Sequence, residues 1–216
     1  MQIKKIVDLS IPVTSKTPVY PGDPKPHLSA AANIEEHGYN VSKLNIGSHT
    51  GTHVDAPYHI TKEGKKIDEV SLTHFAGEGI VLDVTHKNPA EGITIEDIRG
   101  DLEKLRSGTI ALFHTGWDAH LESELYYKHP YLTIELVTEL LNRGVRTFFI
   151  DALNIDPPDG SSFQAHEAIT GLNGIIGENF TNFDQIDFEH PFVTAFPLNM
   201  PGIDGSPVRA VAMEFE

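Results

Sequence analysis

The chain has 216 residues and sets 16 Lys and Arg against 31 Asp and Glu, a formal charge of −15 that repels phosphate backbones and anionic lipid surfaces alike. No apolar run reaches bilayer length, so the composition excludes nucleic acid and membrane as partners and describes a turn-rich globular protein with 14 Pro and 18 Gly. The lack of cysteine excludes disulfides, thiolate ligands and a cysteine nucleophile.

The start, Met1 to Asp8, reaches an acid before any apolar stretch develops, so no secretory signal and a cytoplasmic location are expected. Ile3 to Leu9 alternates weakly and predicts a first strand. Pro18-Val19-Tyr20-Pro21-Gly22-Asp23-Pro24 then makes a stiff, proline-locked loop. Val41, Lys43 and Asn45 alternate with Ser42, Leu44 and Ile46, which predicts a half-buried strand delivering the next segment. That segment, Ser48 to His59, is the densest in chemistry, with His49, His53, Asp55 and His59 inside eleven residues. Imidazole nitrogen and carboxylate oxygen suit Zn²⁺ or Mn²⁺. Gly51 allows backbones to crowd and Pro57 forbids a helix interior, so the segment is expected to be extended. All four groups have odd numbers and would then share one face. A lone histidine is more often a surface or hydrogen-bonded core residue, but four candidate ligands of one parity reverse that expectation.

Gly79 to Val84 predicts an apolar strand. Thr94 to Arg106 predicts a helix with Thr94 as N-cap, Asp97 three residues on, and Ile95, Ile98, Leu102 and Leu105 as its stripe. Thr109 to Phe113 predicts a buried strand, Ile134 to Arg143 a helix closed by Gly144, and Thr147 to Ile150 another buried strand. Asp151 and Asp156 follow at a strand C-terminus, where functional loops of α/β sheets lie; both read as turn residues accepting backbone N–H groups and are left outside the site. His166 and its rival Glu167 come next. Glu178 follows the short apolar strand signal Ile175-Ile176 and needs a partner there, which a cation would supply. Phe192 to Leu198 and Val208 to Phe215 predict a terminal hairpin. His27, His37, His74, His86, His114, His120, His129 and His190 lack ligand spacing and read as solvated. Strands alternating with helices, then antiparallel strands, predict one α/β domain on a mixed sheet over residues 1–216.

The run His49-x-Gly51-Thr52-His53-x-Asp55-x-Pro57-x-His59 resembles, residue for residue, the His-x-Gly-Thr-His-x-Asp-x-Pro-x-His motif of the cyclase family, which includes bacterial kynurenine formamidases and isatin hydrolases. Other stretches resemble the family with departures. Tyr20 replaces the tryptophan of a Pro-Val-Trp-Pro-Gly-Asp segment that lines the substrate pocket, and Asn154 replaces the serine of Ile-Asp-x-x-Ser-x-Asp-Pro. His166 and Glu178 have the family's twelve-residue separation, and Asp204-Gly205-x-Pro207-x-Arg209 matches its terminal stretch.

The resemblance implies the swivelling β/β/α architecture and two cations per chain, Zn²⁺ first and Mn²⁺ second. His49, His53, Asp55 and Glu178 would hold one and Asp55, His166 and Glu178 the other. It leaves His59 as general acid–base, because histidine titrates near neutrality, and puts Tyr20 in the substrate pocket. The implied activity is hydrolysis of an amide, formamide or lactam C–N bond of a small molecule, N-formylkynurenine before isatin-type lactams, in a homodimer or homotetramer. A serine-triad mechanism lacks its Gly-x-Ser-x-Gly elbow. The contrasting class is a non-catalytic metal-binding protein, in which His59 would be one more ligand.

Overall fold

The computed structural model of the protein describes residues 2–216. Strand β1 (Ile3–Asp8) opens the chain with Val7 buried and Ile6 exposed, as the weak alternation predicts. Strands β2 (His27–Ala32) and β3 (Val41–Asn45) pair antiparallel around a one-turn helix, α1 (Ile34–His37), capped by the Asn33 side chain. The half-buried β3 expected from the sequence is not found. Every β3 residue is exposed, because its alternation serves pairing within a two-stranded ribbon, Leu28 opposite Leu44, and not packing on the main sheet.

Strands β4 (His53–Asp55) and β5 (Ala76–Asp83) belong to the main sheet, whereas β6 (Gly92–Ile93) pairs elsewhere. The helix expected at Thr94 to Arg106 is a 3₁₀ helix, Ile95–Lys104; its capping box is present, with Thr94 N–H donating to Asp97 Oδ2 at 2.7 Å. Strand β7 (Thr109–His114) follows, then β8 (Tyr131–Leu132), which pairs parallel with β6. Helix α2 (Ile134–Asn142) buries Leu136, Val137, Leu140 and Leu141 and ends at Gly144, whose φ of 90° suits the left-handed turn. Then come β9 (Thr147–Ile150), α3 (Gln164–Gly171), β10 (Ile175–Glu178), β11 (Phe192–Thr194), β12 (Gly205–Pro207) and β13 (Val211–Phe215).

Among the described residues the main sheet has nine strands in the order β1-β13-β11-β5-β7-β9-β10-β4-β12. Its centre, β5-β7-β9-β10, is parallel, and both arms are antiparallel. Central strands read as unbroken apolar runs because both of their faces are covered. Phe148 and Ile150 pack with Leu136 and Leu140 of α2 on one face, while Phe149 between them packs with Val7, Val54 and Ala212 on the other. Those three residues come from the sheet's own arms, so the sheet curls over its second face. The terminal strands are antiparallel neighbours as expected, but no tight hairpin joins them; the connection crosses to the far edge and lays β12 against β4. No helix of the described residues is long and apolar enough to cross a membrane.

Candidate metal centre

The site forms at the β10-β4-β12 edge. His53 and Asp55 sit two apart on β4 and so point to one face, and Glu178 of β10 pairs directly opposite His53. The single extended face expected for all four groups holds for these two alone. His49 arrives through a turn in which Gly51 adopts a φ of 66°, and a Cβ there would lie 2.9 Å from Val13 Cγ2. His59 arrives through a 3₁₀ turn, Pro57–His59, with proline at its start. His166 is buried on α3 while its rival Glu167 is exposed.

The groups converge. Asp55 Oδ1 lies 2.7 Å from His49 Nδ1 and 3.4 Å from His53 Nε2, and Asp55 Oδ2 lies 3.6 Å from His166 Nε2. Glu178 divides its oxygens in the same way, Oε2 being 3.5 Å from His53 Nε2 and Oε1 3.6 Å from His166 Nε2. Each carboxylate therefore turns one oxygen to the His53 side and the other to the His166 side. For all this proximity, His53 Nε2 and both Asp55 oxygens are buried without a properly directed hydrogen bond. Buried polar atoms left in that state are costly, and a cation would satisfy all three together. The donor set is nitrogen and oxygen only, and it fits Zn²⁺ or Mn²⁺.

The surrounding groups hold these candidate ligands in place. His53 Nδ1 lies 2.8 Å from the Gly51 carbonyl oxygen, and His166 Nδ1 lies 2.6 Å from Asp156 Oδ2, leaving the Nε2 of each ring for the site. Asp156 serves as the expected turn acceptor, taking the Ala165 and His166 N–H groups, and in addition it holds the ring of the candidate ligand His166. Asp151 keeps its structural role, accepting from Thr115 and Gly116; burial raises its pKa to about 7. Asp204 is a member that sequence reasoning missed. Its Oδ2 lies 3.0 Å from His49 Nε2 and 3.5 Å from His59 Nδ1, and those two rings hold its pKa well below the usual carboxylate range.

Burial alone would depress the His49 imidazole, but Asp55 and then Asp204 override it and raise its pKa to about 11. Burial would also depress His166, yet its hydrogen bond to Asp156 and the neighbouring Asp55 and Glu178 carboxylates raise it to about 10. Burial pushes the Asp55 carboxyl up, and His49 and His53 pull it well below its usual range. Without a cation the cluster thus holds protons where it would hold metal.

Beside the ligands opens a cavity of about 230 Å³, walled by Tyr20, Ile60, Leu153, Asn154, Phe163 and Asn179. Asn154 Oδ1 accepts the Asp156 N–H at 2.7 Å. Of the histidines read as solvated, His129 is a correction: it is buried, with Nδ1 2.9 Å from the Pro130 carbonyl oxygen, and burial lowers its pKa.

The profile of a putative cyclase family matches residues 7–157. A kynurenine formamidase of Salinibacter ruber is 32% identical over 210 residues, covering 95% of this chain and 96% of that one. Isatin hydrolase A from Labrenzia aggregata, bound to benzyl benzoate, superposes with a TM-score of 0.90 at 25% identity over 98% and 94% of the two chains. A crystal structure of an isatin hydrolase with the product analogue thioisatinate reaches a TM-score of 0.91 at 20% identity over 98% and 93%, which is a likeness of fold. The curled mixed sheet is thus the swivelling architecture that the motif implies, and with its motif, fold and full-length relatives in agreement the chain belongs to the cyclase family.

Proposed function

We propose that the protein is a metal-dependent hydrolase that cleaves a small-molecule amide, formamide or lactam C–N bond, with His59 as general acid–base. The observation that carries this reading is the buried Asp55 carboxylate, without a properly directed hydrogen bond at either oxygen among His49, His53 and His166, beside a cavity that those three rings, His59 and Glu178 line. His49, His53, Asp55 and Glu178 would hold one divalent cation and Asp55, His166 and Glu178 a second, Zn²⁺ first and Mn²⁺ second. Such ions supply Lewis acidity to a carbonyl oxygen and acidity to water.

The chain's own residues do the rest. His59 is part-exposed at the cavity, with Nδ1 facing Asp204. An imidazole there takes a proton from the attacking water as oxygen adds to the carbonyl carbon, and returns it to nitrogen as the C–N bond breaks. Asp204, 3.5 Å from Nδ1, orients the ring. Tyr20 and Phe163 offer ring faces to an aryl group, and the leading substrate is N-formylkynurenine, with isatin-type lactams second. The kynurenine formamidase and isatin hydrolase relatives support that order. The exposed Leu28, Ile34, Tyr39, Val41 and Leu44, on the β2–β3 ribbon, α1 and the turn after it, support a homodimer or homotetramer, which light scattering would check.

A non-catalytic metal-binding protein is favoured by one feature, that His49, Asp55 and His59 also lie close enough to share an ion. Metal analysis together with hydrolysis of N-formylkynurenine, formanilide and isatin by Zn²⁺- and Mn²⁺-loaded protein separates the two. Turnover of at least one compound is expected; metal bound in full with no turnover of any compound would establish the non-catalytic reading.

A further inference from the structure

The cavity wall carries three neutral side-chain donors, Tyr20, Asn154 and Asn179. Asn179, the residue after Glu178, is the one whose amide is oriented by a buried partner. It is 1% exposed yet lines the cavity, and its φ of 57° places it in the left-handed region. Asparagine tolerates that conformation better than other side chains, so a turn role would explain the residue type by itself. Its hydrogen bonds say more. The backbone is fully used, N–H donating to the Ala152 carbonyl at 2.8 Å and C=O accepting from Thr52 Oγ1 at 2.5 Å. The side-chain Oδ1 accepts the Tyr126 hydroxyl at 2.6 Å.

That last bond decides which way the amide faces. Tyr126 is fully buried, and burial together with the charges of Asp151, Asp118 and Glu178 pushes its pKa well above the usual value, so the phenol keeps its proton. Among the described residues the phenol makes no other hydrogen bond, so Oδ1 must be the atom facing it. The amide Nδ2 is then turned away from Tyr126, with no protein acceptor among the described residues and the cavity beside it. An N–H₂ group beside a cavity takes its acceptor oxygen from water or from a ligand.

We propose that Asn179 is the neutral hydrogen-bond donor that receives the substrate's carbonyl oxygen as negative charge develops on it, and that Tyr126 is the positioning residue that aims its amide. This rests on the hydrolase reading above. A donor held rigidly before the reaction stabilises the developing oxyanion without reorganising, and loss of one such donor costs on the order of 10²–10³ in kcat.

The test uses the metal-loaded enzyme with N-formylkynurenine, formanilide and isatin, each variant checked for metal content by elemental analysis and for fold by circular dichroism and melting temperature. Asn179→Gly accepts the left-handed backbone without strain and deletes only the amide; Asn179→Asp keeps the shape but turns the donor into an acceptor. Both should retain metal and lower kcat by on the order of 10²-fold, with KM moving less than about threefold. Tyr126→Phe, which frees the amide to rotate, should lower kcat by about tenfold with metal content unchanged. A wild-type kcat in Asn179→Gly would make the residue a turn former only, and loss of metal in step with activity in both Asn179 variants would make it a support for Glu178. Either result overturns the proposal and leaves the hydrolase reading standing, whereas failure of the unaltered enzyme to hydrolyse any of the three compounds overturns both.

Discussion

Cation binding at this centre should release protons, and the number can be worked out from the ligand environment. His49 has its pKa raised to about 11 and His166 to about 10. At pH 7 both rings are then predominantly protonated. Coordination needs a free lone pair on each ring, so filling both sites displaces about two protons per chain. The sign follows from the raised values: apparent affinity climbs about tenfold per site for each pH unit and levels off only as pH passes through 10 and then 11. The same groups stabilise the metal-free fold fully below the unfolded value of 6.5 and withdraw that contribution as pH rises through 10 and 11. Titration calorimetry of Zn²⁺ into the metal-free protein, in buffers of different ionisation enthalpy at pH 7, counts the protons. A release of fewer than about one proton per chain, or an affinity indifferent to pH between 6 and 8, would refute the reasoning and show that the rings are already neutral without metal.

His59→Ala should lower kcat by on the order of 10²–10⁴ while metal content stays at the wild-type level; loss of metal by elemental analysis would instead make His59 a ligand. Asp55→Ala should empty both sites, because each Asp55 oxygen faces a different imidazole, and full metal retention in that variant would end the bridging assignment. Gly177→Ala should destabilise the fold by about 1–3 kcal/mol, since a Cβ there would lie 2.3 Å from Phe149 Cδ1 and 2.7 Å from Phe180 Cε2 in a closely packed face. At about 2–4 °C per kcal/mol for a chain of this size, calorimetry should find a fall of several degrees; a change under one degree would mean that the two rings move aside freely.

The parts of the site that were legible in the sequence are those whose chemistry is local. His49, His53, Asp55 and His59 announce themselves by density, but the reason first given for their convergence, one extended face, describes only His53 and Asp55. Alternation reports which side chains share a face and is silent on where a chain turns, so the turn at Gly51 and the 3₁₀ turn at Pro57 were out of its reach. The same blindness affected β3, where a period of two is equally at home in an exposed ribbon and in a sheet arm. His166 and Glu178 were found by resemblance, because nothing near either residue says that α3 and β10 bring them to the same carboxylate.

Asp204 shows where local reading ends. It stands before a glycine in a stretch that reads as an ordinary turn, and its contacts lie 155 residues away at His49. Two facts together place it: β12 pairs with β4 in the register Gly205 opposite Asp55, and the Ala56 N–H donates to the Asp204 carbonyl at 2.8 Å. That register carries the Asp204 carboxylate to the side of the ligand cluster away from Glu178, since β4 lies between β10 and β12. The terminal segment therefore crosses the sheet for a chemical reason. By joining β4, β12 places beside His49 and His59 a carboxylate that contacts both rings, so that a candidate metal ligand and the proposed acid–base share a common anchor.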